Sequence, residues 1–179
     1  MSTNEQDFES LIRSNKDRMI RTIWRIVRDP EDAKDALQEA LSSIWKRFRK
    51  VRDHANPRAL MLRICINASY DVMRRRARRT RDLDVEAVIE YAPDTAGSIT
   101  DRLAGEEQQE TIFKAIHQLS THQAEAVLMR VLHGESYAMI GQALGCSEAT
   151  ARTHVKRARS RLAQLLSDLA PHLNQEVPR

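Results

Sequence analysis

Apolar residues recur at intervals of three and four along most of this chain, and that helical period is the strongest constraint on what it can fold into. Leu11, Ile12, Met19, Ile20, Ile23, Trp24 and Val27 line one face of a first helix over about 8–27. Asp29-Pro30-Glu31-Asp32 then supplies an N-cap, a proline at the first helical position, and two carboxylates where free backbone N–H groups are positive. The second helix carries an apolar stripe of Ala33, Ala36, Leu37, Ala40, Leu41, Ile44, Trp45 and Phe48, with Asp35, Gln38 and Glu39 on another face. Residues 49–55 have no period and read as a loop closed by Asn56-Pro57, a second start signal. The third helix, from Arg58 to about Arg79, begins apolar nearly all round with Leu60, Met61, Leu62, Ile64, Cys65 and Ile66, so its first half is expected to be buried. With only five glycines, five prolines and no alternating β-branched run, a sheet finds no support. The expected fold class is all-α.

Charge divides the chain into three. Residues 1–79 hold 19 Lys/Arg against 11 Asp/Glu, residues 80–110 hold 2 against 9, and residues 111–179 hold 8 against 5. The acidic stretch also contains Pro93, Gly97 and Gly105 and lacks a sustained period, so it reads as a flexible linker. Two basic helical domains, 1–80 and 106–179, joined by an acidic linker over 81–105, suggest a polyanion contacted twice by a chain whose tether does not adhere to it. Six arginines between Arg74 and Arg81 exceed what a solvated helix end needs to complement its dipole.

Several function classes lose support. No apolar run approaches the length of a bilayer span and the first residues are acidic and polar, so membrane insertion is not expected and the cytoplasm is the expected location. Cys65 and Cys146 sit apart in apolar helical patterns, read as small core residues, and are not expected to pair. Asp32, Asp35 and Glu39 share a helix face and could in principle ligate a metal with His54, yet no second helix offers matching carboxylates or a Glu-x-x-His pair, so no metal is expected. No phosphate-binding glycine loop or Ser/His/Asp set is present; catalytic residues, cofactors and enzymatic activity are not expected. Trp24, Trp45 and Phe48 lie on apolar stripes and are expected in the core rather than against nucleic-acid bases.

The sharpest local signal lies near the C-terminus. A helical pattern resumes near Glu106, Ser120-Thr121-His122-Gln123 offers a capping box, and His133-Gly134 closes the helix that follows. Tyr137, Ile140 and Leu144 then mark a short helix, Gly145-Cys146 a turn, and Ser147 the cap of a longer helix burying Val155, Ala158, Leu162, Leu165, Leu166 and Leu169. This is the helix-turn-helix plan that places one helix in a major groove. Ser147, Thr150 and Ala151 begin its exposed face, small enough to approach base edges, and Arg152, His154, Lys156, Arg157, Arg159 and Arg161 follow.

The run Gly134 to Gly145, with Ser147 to Leu162 after it, resembles the fourth region of extracytoplasmic-function sigma factors of the sigma-70 family. Asp29-Pro30-Glu31-Asp32-Ala33-Lys34-Asp35-Ala36-Leu37-Gln38-Glu39-Ala40 is similar to that family's second region, in its Asp-Ala-x-Asp-x-x-Gln-Glu docking helix, and Arg63 to Arg76 to the promoter-melting helix beside it. The chain departs from the usual pattern at Leu60, Ser120, Ala149, Ala151 and His154. The resemblance implies a region 2 helical bundle followed by a region 4 helix-turn-helix, and a monomer that guides core RNA polymerase to promoters.

It also implies partners and residues. Asp32, Asp35, Gln38 and Glu39 would dock on the polymerase clamp, with the flap as a further contact. Arg49, Arg52, His54, Asn56, Arg63, Asn67, Tyr70, Arg74 and Arg75 would hold the melted downstream element. Ser147, Glu148, Thr150, Ala151, Arg152, His154, Lys156, Arg157 and Arg159 would read the upstream element. An anti-sigma factor is an expected regulator, in a stress or envelope response, with the protein at the nucleoid. The alternatives are a helix-turn-helix regulator that never meets polymerase, which has no need of an acidic docking face, and a decoy that only sequesters an anti-sigma factor, which has no need of the arginine cluster.

Overall fold

A computed structural model describes residues 3–82 and 111–169. The linker stretch 83–110, with Asp84, Glu86, Glu90 and Asp94, and the residues after 169 lie outside them. Among the described residues all regular structure is α-helical: α1 (Thr3–Val27), α2 (Pro30–Lys46), α3 (Phe48–Arg52), α4 (Pro57–Asp82), α5 (111–117), α6 (Thr121–His133), α7 (Tyr137–Leu144) and α8 (Glu148–Leu169).

The start signals work as read. The Asp29 side chain accepts the Asp32 N–H at 2.9 Å and Asn56 Oδ1 accepts the Ala59 N–H at 3.0 Å, each satisfying one free donor ahead of a proline-initiated helix. Ser136 and Ser147 cap α7 and α8 through the N–H groups of Met139 and Thr150. Gly134 and Gly145 end α6 and α7 in the left-handed region, at φ 65° and 71°, which a residue without Cβ adopts at little cost.

Three expectations are corrected. Residues 48–52 form the short helix α3 instead of a loop, because Phe48 and Val51 are buried and anchor it, leaving only 53–56 irregular. The capping box at Ser120 does not form: its backbone is extended as a cap requires, but its hydroxyl stays exposed and makes no cap bond. Trp24 and Trp45 remain 44% and 48% exposed, since each stands at the rim of its stripe, while Phe48 is buried; Phe8 meets Trp45 and Phe48 edge-on at 4.9 and 5.6 Å. Cys65 is buried, Cys146 is only half-buried, and both thiols are free.

Two cores result, and α4 belongs to both. Met61, Ile64, Cys65, Ala68 and Val72 face Met19, Ile23, Val27, Ala36, Ala40 and Ile44 of α1 and α2. Ala59 and Ile66 enter the other core, among Leu119, Val127, Leu128, Met129, Ile140, Leu144 and Val155. The all-round apolar character of α4 has this physical cause: it lies between the N-terminal bundle and the helix-turn-helix module. Burying a side chain as large as Ile66 contributes roughly 1.5–3 kcal/mol, so the contact between modules is substantial.

Candidate polymerase and nucleic-acid interfaces

The acidic helix α2 turns Ala36, Ala40 and Ile44 inward and leaves Asp35 and Gln38 exposed, with Asp32 and Glu39 half-exposed. Two of these acids are already paired. Arg75 of α4 donates to Glu39, and Arg76 Nη1 donates to Asp32 Oδ2 at 3.0 Å while lying 3.7 Å from Asp29. The arginine-rich half of α4 thus runs beside the acidic face of α2. As exposed pairs these contribute at most about 1 kcal/mol each, so both carboxylates remain available to a competing partner.

At the other candidate site, α8 presents Arg152, Lys156, Arg157 and Arg159 to solvent, with Ser147, Glu148 and Thr150 exposed at its start. Arg152 donates to Glu148 Oε1 at 3.1 Å and lies 4.9 Å above the Tyr137 ring, which Arg130 also covers at 5.0 Å. His154 is half-buried near His122. Ala151 is not on the exposed face as expected: it is fully buried, packing α8 onto the module's core, and so takes no part in base reading. A residue that sequence reading passed over holds the turn together. A Cβ on Gly141 would lie 2.7 Å from the Cys146 carbonyl oxygen, so the close approach of α7 to α8 requires glycine there.

The residues expected at the downstream element are divided. Arg49, Arg52, Arg74 and Arg75 are exposed. Arg52 donates to Asp53 at 2.8 Å, and that bond holds the Asp53 carboxyl below its ordinary pKa. His54 Nδ1 accepts the Asn56 N–H at 3.0 Å, and Asn56 is committed to its cap. Arg63, Asn67 and Tyr70, one turn apart along α4, face the C-terminal module. Arg63 Nε and Asn67 Nδ2 donate to the same oxygen of Glu125, at 3.0 and 2.8 Å, and Arg63 Nη1 donates to the Ala143 carbonyl at 3.0 Å. Tyr70 stacks on Phe113 at 5.8 Å and meets His117 edge-on at 5.4 Å; burial pushes its phenol pKa up.

A second set of contacts ties α1 to the end of α6. Arg18 donates to Glu135, and Arg25 donates to the Leu132 carbonyl. The Thr22 hydroxyl donates to the Arg18 carbonyl at 2.6 Å, which leaves its oxygen to accept from His133 Nε2 at 3.0 Å. Burial, with Arg18, Arg25 and Arg21 close by, lowers the His133 pKa to about 4, so the ring is neutral near pH 7. Glu125, Glu135 and His133 were not legible as site residues, because Glu125 and His133 sit in the helical pattern of α6 and Glu135 in the turn after it, none with a local partner.

Against known families, residues 11–79 match sigma-70 region 2 and residues 109–162 match sigma-70 region 4. The ECF RNA polymerase sigma factor SigM of Mycobacterium tuberculosis is 32% identical over 167 residues, covering 93% of this chain and 81% of the relative. The chain belongs to the extracytoplasmic-function sigma factors of the sigma-70 family. The RNA polymerase sigma-E factor of Streptomyces coelicolor is 29% identical over 160 residues, covering 89% of this sigma factor and 86% of that one. Among solved structures, the sigma factor RpoE of Bartonella quintana in complex with the anti-sigma factor NepR aligns with TM-score 0.52 and 26% identity, over 90% of this chain and 98% of that one. CnrH, in complex with the cytosolic domain of CnrY, shares the fold at TM-score 0.54 and 18% identity, over 93% and 91% of the two chains. As a sigma factor, the protein directs RNA polymerase core enzyme in promoter-specific initiation. Among its described residues no helix is long and apolar enough to cross a membrane.

Proposed function

We propose that this sigma factor docks on core polymerase through the outward face of α2 and contacts promoter DNA with both modules. The observation that carries the docking assignment is the two-sidedness of α2, with Ala36, Ala40 and Ile44 buried and Asp35 and Gln38 fully available on the reverse. An exposed acidic face contributes to association rather than to the core. Asp32 and Glu39 join it once Arg76 and Arg75 are drawn to another anion.

Residues 1–80 act as region 2, 106–179 as region 4, and the acidic stretch 81–105 lies along a basic channel of polymerase, where a negative strand avoids DNA. In the upstream site, Arg152, Lys156, Arg157 and Arg159 contact phosphates or guanine edges while Ser147, Glu148, Thr150 and His154 approach the groove. In the downstream site, Arg49, Arg52, His54, Asn56, Arg63, Asn67, Tyr70, Arg74 and Arg75 hold the melted strand, cations tracking the backbone and the ring stacking a base. RpoE of Bartonella quintana is bound to the anti-sigma factor NepR, and a regulator of that class fits this chain in a stress or envelope response. A partner of polymerase and promoter DNA works in the cytoplasm, at the nucleoid, which is the location this reading assigns to the protein.

The test is a pull-down of core enzyme by the Asp35→Arg, Glu39→Arg variant. Binding should fall at least about tenfold, the equivalent of 1.4 kcal/mol, with the helical circular dichroism unchanged. Capture equal to wild type removes α2 from the docking role.

A further inference from the structure

Of the cations that α8 turns to solvent, one is held in place. Arg152 Nη2 donates to Glu148 Oε1 at 3.1 Å, one turn earlier on the same helix, and its guanidinium lies 4.9 Å from the centre of the Tyr137 ring. Among the described residues, Lys156, Arg157 and Arg159 have neither a carboxylate nor a ring holding them. Tyr137 is half-buried against the module's core, but an aliphatic side chain at the first position of α7 would serve packing equally well. The cation over its face is what an aliphatic residue would lose.

The ring itself is fixed. Arg130, in the last turn of α6, lies 5.0 Å from the same ring centre. Its Nη1 donates to the carbonyls of Gly134 and Glu135 at 3.2 and 2.9 Å, which ties this cation to the turn leading into α7. Ser136 caps α7 one residue before Tyr137, accepting the Met139 N–H at 3.2 Å. At the other end of α7, the Cys146 N–H donates to the Gly141 carbonyl at 2.9 Å, and a Cβ on Gly141 would find no room against that turn. Ala151, fully buried, seats α8 on the core directly beside Arg152. Backbone contacts on both helices therefore set the separation between the ring and the base of the Arg152 side chain.

A free arginine samples many rotamers, follows the nearest phosphate, and loses that freedom only when DNA arrives, at a cost to binding. A guanidinium already stacked on a ring and bonded to a carboxylate keeps its planar fork in one orientation. Such a fork suits the paired O6 and N7 acceptors on the major-groove edge of guanine, which a wandering one cannot meet together. The unsupported cations further along α8 supply attraction to phosphates of any sequence.

We propose that Tyr137 is a positioning residue for promoter recognition: its ring, shared with Arg130, holds the Arg152 guanidinium beside Glu148 and so sets how strictly the upstream element is read. The proposal rests on the upstream-site reading given above and names a residue of α7, outside the recognition helix, that governs its specificity. Tyr137 acts through Arg152 and need not touch DNA.

The test uses holoenzyme and promoter DNA randomised over the upstream element; bound DNA is sequenced, and the enrichment of the preferred base over the other three is read at each position. Arg152→Ala marks the positions that this side chain reads, by a fall in enrichment of at least about tenfold there. Tyr137→Leu should lower enrichment at those same positions by about fivefold and leave the others unchanged, while Tyr137→Phe, which keeps the ring, should match wild type. Arg130→Gln alters an exposed side chain, so it decides the matter if Tyr137→Leu does not fold; it should lower the same positions by about twofold. Folded Tyr137→Leu or Arg130→Gln protein with wild-type enrichment, an equal fall at every position, or a Tyr137→Phe protein as impaired as Tyr137→Leu overturns the proposal. Wild-type enrichment throughout with Arg152→Ala would instead overturn the upstream-site reading beneath it.

Discussion

Replacing Gly141 by alanine sets two effects of opposite sign against each other. Within a helix such as α7, alanine is favoured over glycine by roughly 0.5–1 kcal/mol, because glycine loses more backbone freedom on folding. The added methyl, however, would lie 2.7 Å from the Cys146 carbonyl oxygen, 3.2 Å from the Ser147 carbonyl carbon and 3.3 Å from the Glu148 nitrogen. All three are backbone atoms of the turn, so no side chain can swing away, and α7 must move from the start of α8. That movement strains the Cys146 N–H bond to the Gly141 carbonyl, 2.9 Å long and worth about 0.5–1.5 kcal/mol. Overpacking of this kind costs about 1–3 kcal/mol, so the clash wins and the net loss is about 2 kcal/mol. For a chain of 179 residues this lowers Tm by roughly 4–8 °C. Thermal unfolding of Gly141→Ala followed by circular dichroism checks it, with footprinting of upstream promoter DNA as the functional readout. A Tm equal to or above wild type would refute the reasoning, since propensity would then have outweighed contact.

Other outcomes follow from the same geometry. His133 titrates near 4 in the closed chain against about 6.5 when free, so its neutral form contributes stability above pH 6.5 that is lost as pH falls from 6.5 towards 4. Because the ring is half-exposed, solvent screening reduces the effect to about 1 kcal/mol, and His133→Gln should flatten urea-denaturation midpoints measured across that range. Burial pushes the Cys65 thiol up to about 12, so iodoacetamide at pH 8 should label Cys146 and leave Cys65 unmodified in the folded protein, as peptide mass mapping would record. Arg152→Ala with Lys156→Ala should weaken upstream DNA binding by about tenfold and shallow its salt dependence, measured by anisotropy at several ionic strengths; an unchanged slope would take both side chains off the phosphates.

What the sequence reveals and what it hides have separable causes. Helices are set by local periodicity and by caps such as Asp29 and Asn56, whose partners lie within three residues, and these were legible. The short helix α3 was not, because two buried side chains, Phe48 and Val51, are too few to establish a period. Ala151 was misplaced because alanine fits a base-facing surface and a helix crossing equally well, and only the crossing of α8 over the module core decides. The apolar girth of α4 signalled burial, but not that its second partner is the helix-turn-helix module. Glu125 illustrates the limit: its partners Arg63 and Asn67 lie 62 and 58 residues away, and a lone carboxylate in an apolar stripe looks like a solvated interruption until the fold brings them together.

Transcription in vitro with core polymerase, this protein and a library of genomic promoter fragments tests the central claim most directly. Initiation from a discrete set of promoters, absent with core enzyme alone and lost with the Asp35→Arg, Glu39→Arg variant, is the predicted result. Transcripts indistinguishable from those of core enzyme alone would contradict the account.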